Sequence, residues 1–188
     1  MKKYHCYSAQ FDIDTENLFR EGIFLGQGNN GIVYKLPEKK VIKIFIEKKV
    51  CRDESYILLR AKGSDYFPNV TKHGELYIVR DMVEGIRLDK YIRYHGLSSE
   101  LVKNICNMLN EFKRLKFLKI DFRCKDVYVG YKEKLMMIDP KQYYKKQRNY
   151  PRHFMKGLSK IGALDDFFLK LKEIDEKKAK EWKRAFEN

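Results

Sequence analysis

Gly26, Gly28 and Gly31, with Gln27, Asn29 and Asn30 between them, make a sharp turn that lays bare backbone N–H groups, a surface suited to holding an anion. Ile32-Val33-Tyr34 follows at once, β-branched and aromatic, so the chain leaves the turn as a strand. A dinucleotide-binding fold opens a helix at that point and is excluded. Taken alone, the turn is equally readable as a plain hairpin loop. A lysine, Lys43, sits in the middle of the next apolar run, Val41-Ile42-Lys43-Ile44-Phe45. Much further on, K-I-D-F-R-C-K-D-V-Y-V from Lys119 to Val129 and I-D-P from Ile138 to Pro140 bring Asp121, Arg123, Asp126 and Asp139 into short polar stretches. A D-x-x-x-x-D spacing arises readily by chance in a chain with 26 acidic residues, so its meaning depends on the elements around it.

Those elements can be taken in order. Residues 1–22 are weakly patterned; Phe11, Ile13, Leu18 and Phe19 are placed to pin this segment onto a sheet, and Asp14 to Asn17 to cap a short helical turn. Pro37-Glu38-Lys39-Lys40 is a reverse turn leading into the lysine strand. Glu47 to Gly63 reads as a helix, with Glu54 and Leu58 one turn apart on one face. Glu75 to Val83 reads as a buried strand carrying Arg80, and Leu88 begins a short helix. Ser98 caps a longer one whose apolar face is Leu101, Val102, Ile105, Met108, Leu109, Phe112 and Leu115. Gly130 to Lys134 is a turn between two short strands. Arg152 to Ile161 is expected to be a short helix, and Leu164 to Phe186 a single long one with Phe167, Phe168, Leu171, Ile174 and Trp182 on its inner face.

Glycine turn, strand lysine, helix glutamate, connecting strand, core helix, aspartate loop, hairpin and final aspartate occur in an order that resembles protein kinases, over Leu25 to Lys141. The chain looks like a small bacterial or phage Ser/Thr kinase-like protein. The resemblance implies an α+β, two-lobed fold in a single domain over 1–188: an antiparallel N-lobe sheet with one helix to about residue 83, a hinge at about 80–86, and a short, mainly helical C-lobe beyond. It implies Mg-ATP as the phosphate donor and a Ser, Thr or Tyr hydroxyl as acceptor. Gly26, Gln27, Gly28, Asn29, Asn30, Gly31 and Val33 would then cover the nucleotide, Lys43 held by Glu54 would contact its phosphates, and Asp81 and Val83 would lie along the hinge. Lys43 is expected to present its head to ligand or solvent. Asp121 would act as base, Arg123 would neutralise phosphoryl charge, and Asp126 and Asp139 would hold Mg²⁺.

The motifs depart from the family pattern at Lys119 (histidine in kinases), Asp126 (asparagine), Pro140-Lys141 (Phe-Gly) and Arg80, which stands where an apolar gatekeeper is usual. Asp126 adds charge near the other carboxylates but remains a competent Mg²⁺ ligand; its other reading is a loop tether. Arg80's other reading is a strand-edge charge. Pro140 restricts Asp139, implying a fixed site rather than a switched one. No A-P-E follows Asp139, although Tyr143, Tyr144 and Tyr150 lie where an activation segment would begin. Two alternatives therefore stand beside the protein kinase: a pseudokinase or binding module acting on a partner through its basic surface, and a small-molecule kinase of the aminoglycoside or lipopolysaccharide type.

Composition narrows the setting. The net charge of +14 favours acidic or phosphate-rich partners, but no helix-turn-helix, zinc-finger or RNA-binding signature accompanies it, which argues against nucleic acid. Cys6, Cys51, Cys106 and Cys124 show no C-x-x-C spacing, and His5, His73, His95 and His153 no paired-ligand pattern, so all read as reduced thiols and ordinary side chains. With no apolar run of membrane-spanning length, the expected location is the cytoplasm.

Overall fold

The computed structural model describes residues 9–141, 143–145 and 147–188. His5 and Cys6 lie outside them. The described chain is an α+β protein in two compact units, one formed by residues up to Gly63 together with Phe67–Met82, the other by Ser64–Tyr66 and Val83–Asn188.

The first unit is a five-stranded antiparallel sheet in the order β1-β2-β3-β5-β4. Its strands are β1 (Ile23–Gly28), β2 (Gly31–Leu36), β3 (Lys40–Phe45), β4 (Val70–His73) and β5 (Tyr77–Asp81). Glu38 and Lys39 both take positive φ in the β2–β3 turn, the mirror-image turn whose twist suits a tight hairpin. Alternation along β3 sends Ile42 and Ile44 to one face and Val41, Lys43 and Phe45 to the other.

Each face has its own helix, so the expectation of one helix in this unit is corrected to two. The first face packs Leu36, Ile42, Ile44, Tyr77 and Val79 against Phe11, Leu18 and Phe19, the last two carried by α1 (Ile13–Arg20). The cap of α1 is Asp12 rather than the expected Asp14–Asn17: its carboxylate accepts from Thr15 N at 2.9 Å, and also from Lys72 at 3.0 Å and Tyr77 Oη at 3.1 Å. These bonds, the Thr15 amide foremost, hold the Asp12 carboxyl well below the usual carboxylate range. They also tie the helix to the sheet, while Ile13 points outward and is exposed, contrary to expectation.

The second face is covered by α2 (Lys48–Arg60), whose buried side is Cys51, Glu54, Ser55, Ile57 and Leu58. Neither a side-chain cap nor an acidic first turn supports α2, so burial of that side is what holds it. Arg80 belongs to this face as well. It is buried in β5, which lies between β3 and β4, so a strand-edge charge does not describe it; its Nη1 donates to Asp81 O at 3.1 Å.

The second unit pairs a three-stranded sheet, β6 (Ile86–Arg87), β7 (Val127–Val129) and β8 (Leu135–Met137), with helices α3 (Leu88–His95) and α4 (Ser99–Arg114). Ser98 caps α4 as expected, accepting from Leu101 N at 2.9 Å, and Leu101, Val102, Ile105, Met108, Leu109 and Phe112 are buried. Two aromatic groups continue that core. Phe117 stacks on Tyr143 at 4.7 Å beside Phe112, and Phe122 stacks on Phe154 at 4.8 Å, with Phe167 edge-on beyond.

Phe154 and Phe167 belong to α5 (Arg152–Lys160) and α6 (Leu164–Ile174). The single long helix expected from Leu164 to Phe186 is in fact two. Asp175 breaks it, with φ −156° and ψ 88°, and its side chain caps α7 (Glu176–Glu187) through Lys178 N at 2.9 Å. An aspartate that can cap competes with helix continuation. Phe167, Phe168, Leu171 and Trp182 are buried as expected, whereas Ile174, next to the break, is exposed.

The chain after Asp139 is laced to the segment before Asp121. Leu118 N and Lys119 N donate to Tyr143 O at 2.9 and 3.3 Å, Ile120 N to Arg148 O at 3.1 Å, and Arg148 N to Leu118 O at 3.0 Å. Among the described residues no helix is long and apolar enough to cross a membrane.

Cys51, Cys106 and Cys124 are free and buried. Burial pushes the Cys51 thiol up to about 11 and the Cys124 thiol to about 12. A thiol whose folded pKa lies above its unfolded value stabilises the fold fully below the unfolded pKa and loses that contribution as pH rises through the folded one. None of the three should react with a maleimide at neutral pH in the folded protein, and all three should become reactive on unfolding. Peptide mass mapping of labelled protein reads this directly; rapid labelling of Cys51 or Cys124 in folded protein would contradict it.

Candidate functional site

The β1–β2 hairpin carries the glycine turn. Gly28 pairs with Gly31, Gln27 with Ile32 and Gly26 with Val33, leaving Asn29-Asn30 as the tip. The three glycines have different reasons. A Cβ at Gly31 would lie 2.1 Å from Ile44 O, so glycine there is required by the approach of β3. At Gly26 and Gly28 a Cβ would meet nothing within 4 Å. Packing within the unit gives no reason for those two glycines, and their bare backbone suits close approach of a ligand.

Lys43 of β3 lies under α2 and bonds both carboxylate oxygens of Glu54, at 2.6 and 2.9 Å. The side chains are 10% and 3% exposed. The expectation of a head facing ligand or solvent is corrected as to solvent: the ammonium is drawn inward by the glutamate and lies 4.7 Å over the Phe45 ring. Asp81, expected along a hinge, ends β5 with its carboxylate on Lys40 Nζ at 2.5 Å and Asn69 Nδ2 at 3.2 Å. Burial works against its ionisation, but these bonds prevail and hold the carboxyl low. Val83 opens the second unit, partly buried.

In the second unit the sequence-predicted acids do converge. A 3-10 turn at Cys124–Asp126 precedes β7, the hairpin returns through β8, and Ile138 N donates to Asp126 O at 2.9 Å, bringing Asp126 beside Asp139. Arg123 joins them. Its guanidinium makes a bidentate pair with Asp126 at 2.5 and 2.9 Å and reaches Asp139 at 3.7 Å, while Lys141 pairs with Asp139 at 2.8 Å. Burial pushes the Asp126 carboxyl up, and Arg123 opposes that shift. A buried carboxylate in this state favours any added cation.

Asp121 has a different environment. It is fully buried, and both its oxygens go to one residue: Oδ1 accepts from His153 N at 2.7 Å and Oδ2 contacts His153 Nδ1. His153 is in the first turn of α5, so Asp121 satisfies one of the helix's open amides and lies at its positive end. Asp121, Arg123, Asp126, Asp139 and His153, with Lys119, Lys141 and Tyr143, line a cavity of about 230 Å³. His153, Lys141 and Tyr143 were missed as site residues. The only available signal for His153 was Pro151 two residues before it, which marks a helix start and hence open amides for a carboxylate.

The donor set bears on a metal. Asp126 and Asp139 are hard oxygen ligands already sharing one cation, the Arg123 guanidinium, and this fits a Mg²⁺ that takes further oxygens from phosphate. Among the described residues no group of three or more His, Cys, Asp and Glu side chains is arranged to hold a metal by itself.

No protein-family model matches the chain, and no curated protein matches it. The functional reading rests on this geometry.

Proposed function

We propose that the protein is a phosphotransferase of kinase-like, two-lobed architecture that takes the γ-phosphate of Mg-ATP to a hydroxyl of a protein or small molecule. The observation that carries the proposal is the buried Lys43–Glu54 pair. Ion pairs of this kind contribute little net stability, and apolar replacements of similar volume are often as good or better. Their presence on a sheet whose hairpin glycines Gly26 and Gly28 have no packing role is explained by a polyanionic ligand that needs a fixed cation and bare amides.

Lys43 fixes the α- and β-phosphates, with Glu54 setting its direction; the amides from Gln27 to Gly31 cover the phosphate chain. Asp126 and Asp139 are the residues that would hold Mg²⁺, which when bound withdraws charge from the phosphoryl oxygens. Arg123 and Lys141 add positive charge for the same group, while Asp121, fully buried, does not itself meet the acceptor hydroxyl. Positioning and charge neutralisation are most of what this reaction asks of a protein.

The test is a thermal-shift titration with ATP, with and without Mg²⁺, followed by ATP turnover and autophosphorylation. The wild type should show saturable, metal-dependent stabilisation, worth about 2.7 kcal/mol at a hundredfold excess over Kd. Asp139→Asn should lose the metal-dependent part; full retention would remove Asp139 from the metal set. One observation favours a second reading. Arg123 already neutralises both presumptive metal ligands, as a binding module with no nucleotide would require. Absence of any nucleotide effect in the wild type would establish that second reading.

A further inference from the structure

Asp121 is the acid that phosphotransfer would use as base, yet no part of it is open to an acceptor. It is 0% exposed, and His153 takes both of its oxygens. The His153 ring is 57% exposed and lines the cavity that holds Asp139, Lys141 and Arg123. A carboxylate only accepts hydrogen bonds, so Nδ1 facing it carries a proton, and in the neutral ring Nε2 is the nitrogen that keeps a lone pair. Among the described residues nothing bonds Nε2. Capping α5 takes one carboxylate oxygen; the second, on the ring, has a structural use only in fixing the imidazole's tautomer and orientation.

The geometry points to His153 as the general base of the reaction, with Asp121 as its positioning residue. This rests on the phosphotransfer reading. The acceptor O–H proton passes to His153 Nε2 as the acceptor oxygen bonds to the γ-phosphorus of a nucleoside triphosphate. The bond from that phosphorus to the β–γ bridging oxygen breaks, and its electron pair leaves with the nucleoside diphosphate. The buried Asp121 carboxylate stabilises the imidazolium, which returns its proton to solvent. Of the cations lining the cavity, Arg123 pairs with Asp126 and Asp139, Lys141 pairs with Asp139 and Lys119 donates to Lys141 O.

The experiment compares wild type, His153→Ala, His153→Gln and Asp121→Asn for nucleotide-induced thermal shift, turnover and response to added imidazole. Both His153 variants should keep the nucleotide shift and lose turnover by about 10²–10³-fold. Imidazole should restore turnover to His153→Ala by at least about tenfold, saturably, and do nothing for the wild type. In proton NMR the wild type should show a strongly downfield ring N–H that vanishes in His153→Gln and moves in Asp121→Asn. This measurement needs no activity. Turnover within twofold of wild type in a folded His153→Ala, loss without imidazole rescue, or a ring resonance indifferent to Asp121→Asn would each overturn the assignment. A wild type with neither nucleotide shift nor turnover overturns phosphotransfer itself, which is a different failure from a working enzyme indifferent to His153.

Discussion

Glu54→Ala is expected to destabilise the folded protein by about 3–5 kcal/mol, the penalty for leaving one member of a buried ion pair without its partner. The magnitude follows from burial: with Glu54 gone, the Lys43 ammonium stays at the sheet–helix interface, reachable by little water, 10% exposed and close over the Phe45 ring at 4.7 Å. Urea unfolding at neutral pH measures the loss. The double variant Lys43→Met/Glu54→Leu should recover most of it, because apolar side chains fill the same space between β3 and α2 without desolvating a charge. It should not recover the ATP-induced thermal shift. Stability and binding are thereby separated: recovery of both would mean that the pair has no part in holding nucleotide, and a neutral Glu54→Ala would mean that the charges are not buried in solution.

The second large effect is expected at Phe154. Phe154→Ala should lower stability by about 3–5 kcal/mol, since the ring is fully buried between Phe122 and Phe167 and little around it can collapse into the space. Phe122 follows Asp121 in the chain and Phe154 follows His153, so the ring stack and the carboxylate–imidazole bond are neighbouring rungs of one contact. Turnover measured well below the melting temperature should fall by about tenfold or more, as expected for a catalytic group displaced by about 1 Å. Ile105→Ala in α4, equally buried but not a member of the Phe122–Phe154–Phe167 stack, should lose stability by about 2–5 kcal/mol and keep its turnover. Equal effects of the two substitutions on turnover would show that Phe154 acts only through global stability.

Much of the architecture could be read from residue patterns. The alternation of β3, the Ser98 cap with the apolar face of α4, and the turn between β7 and β8 are local signals that agree with their surroundings. Two helices were misjudged because their decisive residues act at short range in two ways. Asp12 caps α1 and also bonds Lys72 and Tyr77, and nothing in the sequence reveals that second set of contacts. Asp175 interrupts an amphipathic run that periodicity alone continues to Phe186. The site divides similarly. Lys43 with Glu54, and Asp126 with Asp139, are pairs that the resemblance to kinases implied. The tie between Asp121 and His153 joins residues 32 positions apart through the start of another helix, and a lone histidine carries no mark of it.

The lacing of the chain after Asp139 onto residues 118–120 bears on control. Tyr143 is almost wholly buried, its hydroxyl turned onto Met137 Sδ at 2.9 Å, and its carbonyl is held by two amides. A modifying enzyme finds no hydroxyl there to reach. For the phosphotransferase proposed above, Tyr143 is a structural post and offers no covalent dimmer.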